Sequence, residues 1–297
     1  MTTPRILEPR DLRAAIELLE VHAGASALLA GGVSWMLRQV RGEALPPVLL
    51  SLAAIDGLAD VAVVDDDLVI GAMTRLAALE RSAIVAERAP GLIEAIEAVG
   101  TVRIRSQVTI GGNLAAGVPS YDPPPMLIAL DARVRLASPR GTREQAVDGW
   151  SQGPPDTSTD EILIALVVPS RAQRSAARYR SIDGLTGGVS EHAAAAVRID
   201  LGDDGAIVDA RIVSADASAA PRRCGPAEAR LIGQRPDADA VDAAAALVAA
   251  SVTSAADDDD AAGADRQALI GVATRRALLA AFTDLAAGPS GAGARRA

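Results

Sequence analysis

The spacing of apolar residues predicts short helices and strands in the N-terminal part of the chain. Apolar residues recur at a helical period from Asp11 to Glu20, where Asp11 is suited to cap the helix. Residues 27–30 and 48–52 form short apolar runs typical of buried strands, and the first of them ends at Gly31-Gly32. A helix followed by two strands around a glycine turn indicates a small α/β unit.

The rest of the chain continues the mixture of helices and strands, and it then has a pair of strands followed by helices. Residues 61–64 and 68–70 flank three aspartates, which predicts a hairpin. The same patterns predict helices over 75–82, 92–99 and 125–130, strands over 108–110, 133–137 and 161–168, a strand pair over 194–201 and 206–214, and helices over 226–232, 239–254 and 264–287. Mixed elements followed by strands and then helices favour the α+β class, with a boundary in the arginine-rich stretch 170–177.

Composition narrows the chemistry that the chain can perform alone. Its 297 residues suggest two domains, and a formal charge of −9 argues against nucleic-acid binding. The sequence contains no lysine, two histidines and one cysteine, Cys224, which excludes a lysine Schiff base and an iron–sulfur cluster held by this chain alone. We find no transmembrane run and no secretion signal, so we expect a cytoplasmic protein. The chain therefore either acts as a scaffold or takes its chemistry from a cofactor.

Two glycine pairs follow predicted strands and are candidate phosphate sites. The first comprises Ala30, Gly31, Gly32, Val33 and Ser34, and the second comprises Thr109, Ile110, Gly111, Gly112 and Asn113. A glycine pair lets backbone N–H groups approach a ligand without interference from Cβ. Two such sites would suit the two phosphates of one dinucleotide, although each is also compatible with a plain tight turn. Neither is a Walker loop or a G-x-G-x-x-G motif.

Asp122 follows the second glycine pair by nine residues and lies in a proline-rich segment that we expect to be extended. Its carboxylate would be able to bond a ribose or ring group of a dinucleotide. The ordinary alternative is a turn residue or helix cap, which is the commoner use of an isolated aspartate. For the isolated His192 and Cys224 we likewise favour structural uses.

These residues resemble the FAD-binding (medium) subunit of the molybdenum hydroxylases, the family of xanthine dehydrogenase and aerobic carbon monoxide dehydrogenase. The order and spacing of the motifs fit over about residues 4–286. The motifs are Leu29-Ala30-Gly31-Gly32-Val33-Ser34, Ile70-Gly71-Ala72-Met73-Thr74, Thr109-Ile110-Gly111-Gly112-Asn113-Leu114-Ala115, Pro119-Ser120-Tyr121-Asp122-Pro123-Pro124, Leu130-Asp131-Ala132, Pro221-Arg222-Arg223, Ala227-Glu228-Ala229 and Ala264-Asp265-Arg266 to Arg276-Ala277-Leu278.

The resemblance implies a fold and a domain arrangement. An FAD-binding PCMH-type domain would cover residues 1–172, in subdomains of about 1–55 and 56–172. A smaller C-terminal domain of an antiparallel sheet and helices would cover 173–287, and a disordered tail would cover 288–297. Molybdopterin and 2Fe-2S clusters would lie on a large and a small partner subunit, in a heterotrimer or a dimer of heterotrimers.

The resemblance also implies roles for residues. The two glycine segments would hold the FAD pyrophosphate, and Asp122 would lie near the adenosine or ribityl part. Val99 and Leu163 fall where the family places apolar flavin contacts. None of these residues is a catalytic acid or base. The flavin would pass electrons to NAD, a quinone or dioxygen, which makes the chain an oxidoreductase component.

Some positions depart from the family pattern. Ser181 stands where a lysine is common, with Asp183 close by, and Ser106 replaces a common asparagine. An aromatic residue usual near the flavin is missing around Gly188-Val189-Ser190. Two alternatives therefore stay open at the level of sequence: a non-redox scaffold subunit with weakened flavin binding, and a stand-alone flavin oxidoreductase.

Overall fold

The computed structural model describes residues 3–150, 160–182, 192–252 and 260–288. The chain divides into two compact units. Unit 1 contains Met1–Ile84, Val99–Gly117 and Ala132–Pro169, and unit 2 contains Val85–Ala98, Val118–Asp131 and Ser170–Ala297. Two short segments of the N-terminal half therefore fold with the C-terminal half. The tail predicted to be disordered lies, from residue 289 onward, outside the described residues.

Unit 1 begins with a three-stranded parallel sheet in the order β1-β3-β2. Its elements are β1 (Arg5–Leu7), α1 (Leu12–Val21), β2 (Ser26–Leu29), α2 (Val33–Val40) and β3 (Val48–Ser51). Asp11 caps α1 by accepting a hydrogen bond from the Ala14 N–H at 2.8 Å. Helix α1 and the sheet share a core in which Ala15 and Leu50 are fully buried. The predicted α/β unit is thus confirmed, with β1 and α2 as additions.

A five-stranded antiparallel sheet completes the strands of unit 1, in the order β4-β5-β8-β6-β7. The strands are β4 (Val61–Val64), β5 (Asp67–Gly71), β6 (Arg133–Ser138), β7 (Gly141–Ala146) and β8 (Ile162–Val168), with a 3-10 helix over Val147–Trp150. The predicted aspartate hairpin is confirmed. Asp65 and Asp66 both have left-handed φ angles, 50° and 71°, as a two-residue type I′ turn requires. Aspartate tolerates this conformation better than most residues.

The short helices of unit 1 lie between β5 and β6 along the chain. They are α3 (Leu76–Glu80), α4 (Ala83–Arg88), α6 (Val102–Arg105) and α7 (Ile110–Ala115), and α4 runs on into unit 2. The strand predicted over 108–110 is wrong. Thr109 is the N-cap of α7, and its Oγ1 accepts a hydrogen bond from the Gly112 N–H at 3.2 Å. A threonine hydroxyl at that position starts a helix, which overrides the β-branched pattern before it.

Unit 2 is built on a four-stranded antiparallel sheet in the order β12-β11-β10-β9. Its elements are α5 (Pro90–Ala98), α8 (Pro123–Ala129), β9 (Ser175–Ile182), β10 (Ala193–Leu201), β11 (Ile207–Asp216), β12 (Arg222–Arg223), α9 (Gly225–Leu231), α10 (Ala238–Ala250) and α11 (Asp260–Ala287). Buried residues of β10, such as Ala195 and Val197, belong to the same core as Ala277 and Phe282 of α11.

The order of strands and then helices in unit 2 confirms the sequence-based pattern. The segment 114–125 is not extended as expected, because helix α7 reaches Ala115 and α8 starts at Pro123. The arginine-rich stretch 170–177 runs into β9, which the polar composition concealed. Among the described residues, no helix is both long enough and apolar enough to cross a membrane.

Candidate functional site

The two glycine segments lie side by side in unit 1. A Cβ atom on Gly112 would stand 3.2 Å from the Cβ of Ala30. A Cβ on Gly31 would collide with the carbonyl oxygen of Gln107, two residues before Thr109. The backbones approach so closely that larger residues at 31 and 112 would push them apart. Two segments about 80 residues apart in the chain therefore form one surface.

The first segment, between β2 and α2, offers free backbone donors. Gly32 is the N-cap of α2, with a left-handed φ of 79°, and no side chain caps the helix. Among the described residues, the N–H groups of Gly31, Gly32, Val33 and Ser34 have no hydrogen-bond partner, and all four residues are half-buried. Free N–H groups at the start of a helix attract anions, because the helix dipole adds to their own partial charges. This segment therefore has the donors that a phosphate group needs.

The second segment uses its backbone donors within the protein. The Ile110 N–H donates to the Thr74 carbonyl at 3.0 Å, and the Gly111 N–H donates to the Ala72 carbonyl at 2.9 Å. The Gly112 N–H is taken by Thr109 Oγ1, and the Asn113 N–H donates to the Thr109 carbonyl at 2.8 Å. Its backbone is therefore not the free nest expected from the sequence. Any contribution to a ligand comes from side chains and from the close approach that the glycines permit.

Asn113 supplies such a side chain. It is only 4% exposed, and its Oδ1 has no hydrogen-bond partner among the described residues. A buried amide oxygen without a partner is costly, and native proteins rarely leave one unless a ligand or water completes the bonding. A ligand hydroxyl or N–H at the glycine surface would satisfy it.

Gly111 of helix α7 packs closely against Leu163 of strand β8. A Cβ on Gly111 would lie 2.6 Å from both Leu163 Cδ2 and the Ala72 Cβ. Leu163 itself is 7% exposed. The structure therefore places Leu163 beneath the second glycine segment, where it supports that segment by packing.

Val99 lies in a turn held by a buried arginine. Arg105 is 7% exposed, and its Nη1 donates to the carbonyl oxygens of Val99 and Gly100 at 3.1 and 3.3 Å. Its Nε and Nη2 donate to the Glu80 carboxylate at 2.8 and 3.2 Å. The Val99 side chain remains half-exposed. Its position is thus set by Arg105, whose role the sequence did not indicate.

Arg75 is a second residue that the sequence reading missed. Its Nη1 donates to the Gln107 carbonyl oxygen and lies 3.2 Å from where a Gly31 Cβ would be. Its backbone forms an isolated bridge with Thr109. The sequence shows Arg75 only as a cation directly after the Gly71-to-Thr74 motif. That position does not indicate that it lies near Gly31 or Gln107.

Asp122 belongs to unit 2 and is enclosed there. It is 8% exposed, and its Oδ1 accepts a hydrogen bond from the Tyr179 hydroxyl at 2.7 Å. His192 Nε2 lies 3.6 Å from the same oxygen. Asp122 occupies the N-cap position of α8 but makes no capping hydrogen bond with its side chain. The structure thus brings together three polar residues that the sequence had treated separately.

The departures noted in the sequence lie in ordinary surroundings where they are described. Ser181 pairs with Ala194 across β9 and β10, and Ser106 Oγ donates to the Arg103 carbonyl at 2.8 Å. Asp183 and the 188–190 segment lie outside the described residues. Cys224 is buried and free, and the described residues contain no cluster of metal-binding side chains.

Comparison with known families assigns the chain to a family. A family model described as "FAD binding domain in molybdopterin dehydrogenase" matches residues 2–171, more than half of the chain. The chain belongs to this family. A second model, "CO dehydrogenase flavoprotein C-terminal domain", matches residues 191–281 of this FAD-binding chain. The resemblance, the oxidoreductase class and the FAD cofactor expected from the sequence are thereby confirmed.

Curated relatives of this FAD-binding chain are subunits of dehydrogenases. It is 30% identical over 239 residues to the carbon monoxide dehydrogenase medium chain of Hydrogenophaga pseudoflava, covering 80% of this chain and 83% of that one. It is 28% identical over 224 residues to the xanthine dehydrogenase FAD-binding subunit of Escherichia coli O157:H7, covering 72% and 74%.

Solved structures agree with the fold of this FAD-binding chain. Carbon monoxide dehydrogenase from Hydrogenophaga pseudoflava matches with a TM-score of 0.84 and 31% identity, over 95% of this chain and 99% of that one. Quinoline 2-oxidoreductase from Pseudomonas putida 86 has a TM-score of 0.85 at 22% identity, which speaks for the fold alone. The predicted two-domain α+β architecture is confirmed.

The residues present fit an FAD diphosphate. The N–H groups of residues 31–34, free among the described residues, supply donors, and the glycines at 31 and 112 let the two segments pack closely against each other. The unpartnered Asn113 Oδ1 is an acceptor, so it would take a hydrogen bond from a hydroxyl of FAD next to the diphosphate rather than from the diphosphate itself. FAD, when bound, supplies the redox chemistry that the side chains of this chain lack. The chain's own task is to bind and orient.

Proposed function

We propose that this chain is the FAD-carrying electron-transfer subunit of a molybdopterin and iron–sulfur dehydrogenase complex. Electrons from 2Fe-2S clusters on a small subunit would pass through the bound FAD to NAD, a quinone or dioxygen. A large subunit would hold the molybdopterin and meet the substrate. The proposal rests on the family to which the chain belongs and on relatives named as medium chains or FAD-binding subunits.

The observation that carries the proposal is the pairing of the two glycine segments in unit 1. One segment brings free N–H groups at the start of α2, and the other brings a buried side-chain amide with an unsatisfied oxygen. We assign the FAD diphosphate to Ala30–Ser34 and Thr109–Asn113. The resemblance adds Val99 and Leu163 as apolar flavin contacts, and it would put Asp122 near the adenosine or ribityl part.

The proposal includes the organisation of the whole assembly. Residues 1–172 would form the FAD-binding domain and 173–287 the C-terminal domain. The chain would join one large and one small subunit in a heterotrimer, or in a dimer of heterotrimers. A cytoplasmic location is part of the proposal, and it is supported by the free thiol of Cys224.

Titration of the purified chain with FAD tests the binding step. We expect about one FAD per chain, detected by quenching of flavin fluorescence, because both glycine segments that would hold the diphosphate belong to unit 1. Gly112→Val should weaken binding by at least about ten-fold, since its side chain enters the contact with Ala30. Gly225→Ala is the matched control, because nothing lies within 4 Å of its Cβ position.

Reconstitution with the partner subunits tests the electron-transfer step. Substrate added to the complex should bleach the flavin absorbance, and an acceptor should restore it. A chain that binds no FAD would support the scaffold alternative instead. Turnover by this chain alone, without partners, would support a stand-alone flavin oxidoreductase.

A further inference from the structure

We propose that Arg75 is the cation that pairs with the diphosphate of FAD at the glycine surface. This inference rests on the proposed function, because it assigns a residue to the same site. It extends that function by naming a charged side chain at a site where the two glycine segments themselves carry none.

The placement of Arg75 is the first argument. Its guanidinium lies where the two glycine segments meet: Nη1 donates to the carbonyl oxygen of Gln107, two residues before the second segment, and lies 3.2 Å from the position that a Cβ on Gly31 of the first would take. The bridge between the Arg75 and Thr109 backbones holds its Cα at the same junction. The side chain is half-buried, which limits the positions that its guanidinium can reach.

The charge of Arg75 is the second argument. Among the described residues, no carboxylate lies within ion-pair distance of Arg75. Arg105 of the same unit shows the opposite arrangement, because Glu80 neutralises it at 2.8 Å. A half-buried arginine to which the described residues offer no counter-ion is suited to pair with an anionic ligand.

The shape of the guanidinium is the third argument. One of its five donors is used by the Gln107 carbonyl, and the others have no acceptor among the described residues. Arginine binds phosphate oxygens through several parallel donors, which a single ammonium cannot do. Together with the free N–H groups of residues 31–34, Arg75 gives the surface a net attraction for a dianion.

The salt dependence of FAD affinity tests this assignment on the intact chain. Arg75→Gln should raise the dissociation constant for FAD by about ten- to a hundred-fold, as expected for losing a hydrogen-bonded charge. It should also flatten the rise of that constant with added sodium chloride, because the screened charge pair is gone. Arg81→Gln is the matched control, because it removes the same charge elsewhere. Arg81 is exposed and lies six residues after Arg75 in the sequence.

Arg75→Lys completes the set, because it keeps the charge and loses the fork of donors. We expect it to keep the salt dependence and to bind FAD more weakly than the native chain and more tightly than Arg75→Gln. Melting curves of all variants check that they are folded. If Arg75→Gln does not fold, a folded Arg75→Lys that has lost the salt dependence overturns the assignment.

Two further results would overturn the assignment of Arg75, and a third would refute the proposed function. If Arg75→Gln is folded and binds FAD within about two-fold of the native chain, Arg75 does not pair with the diphosphate. If it loses affinity while the salt dependence stays native, Arg75 only positions Gln107, and the assignment is again overturned. A native chain that binds no FAD at any salt concentration would instead refute the proposed function.

Discussion

At the scale of single residues, the closest contacts in the site are made by glycines. Gly111→Ala would put a Cβ 2.6 Å from the Ala72 Cβ and Leu163 Cδ2, and 2.8 Å from the Ala72 carbonyl. We expect a loss of about 1–3 kcal/mol in the free energy of unfolding, measured by urea denaturation, despite the better helix propensity of alanine.

Gly225→Ala is the control for Gly111→Ala. Gly225 also lies in a helix, nothing is within 4 Å of its Cβ position, and its φ is not left-handed. It should therefore be neutral or stabilising by up to about 1 kcal/mol. Equal effects at the two positions would show that α7 is not held against β8 as the structure has it.

The two tyrosines allow a second test at this scale. Tyr179 is 2% exposed and donates to the buried Asp122 carboxylate, so Tyr179→Phe should cost about 1–3 kcal/mol of stability. Tyr121 is half-buried, and its hydroxyl makes no hydrogen bond among the described residues. Tyr121→Phe should change the urea midpoint little. A tolerant Tyr179→Phe would contradict the buried hydrogen bond.

At the scale of elements, one ion pair joins α3, α6 and the turn that carries Val99. The side chains of Arg105 and Glu80 are 9% and 23% exposed, and Arg105 also bonds two carbonyl oxygens of the turn. Because both side chains are largely buried, removing either partner takes away the charge that neutralises the other there. We expect Arg105→Met or Glu80→Gln to lower the free energy of unfolding by about 3–5 kcal/mol.

The double variant of this pair should be less destabilised than the sum of the two single variants, which denaturation of all four proteins will measure. Additive losses would mean that the two side chains act independently. Arg13→Met is the control, because the Arg13–Glu17 pair is exposed on both sides, 89% and 60%, and should leave the urea midpoint unchanged.

The elements also show where sequence patterns stop being sufficient. The hairpin at Asp65-Asp66 was predictable, because its turn residues are local. The helix at Ile110–Ala115 was not, because β-branched residues before a glycine pair also fit a strand, and only the capping by Thr109 decides. Strand β9 was missed for a similar reason, since alternate arginines hide its buried residues Ala177 and Tyr179.

At the scale of the whole molecule, the two compact units are not two consecutive stretches of the sequence. Helix α5, within 85–98, belongs to unit 2, where the Tyr179 N–H donates to Glu94 at 2.9 Å. In the same unit, a Cβ on Gly91 would lie 2.9 Å from the Ala177 carbonyl. Unit 2 therefore contains segments from both sides of residue 172, where we propose the boundary between the two domains.

This arrangement predicts the result of cutting the chain. A protease site introduced between residues 170 and 173 should give two fragments that stay together in gel filtration, because α5 and α8 of the first fragment are built into unit 2. Urea should separate them. Fragments that separate under native conditions would contradict the shared unit.

The sequence by itself determined the family, the class of cofactor and most of the elements, because these depend on local patterns and on the order of short motifs. It also determined that the chemistry had to come from outside the side chains, since lysine is absent and cysteine and histidine are scarce. Only the tertiary structure decided which backbone donors are free. The oxygens of Thr74, Ala72 and Thr109 accept hydrogen bonds from the N–H groups of the second segment, whereas those of the first segment have no acceptor among the described residues. It alone placed Arg75 between the segments, since contacts between distant parts of a chain arise from packing and leave no local pattern in the sequence.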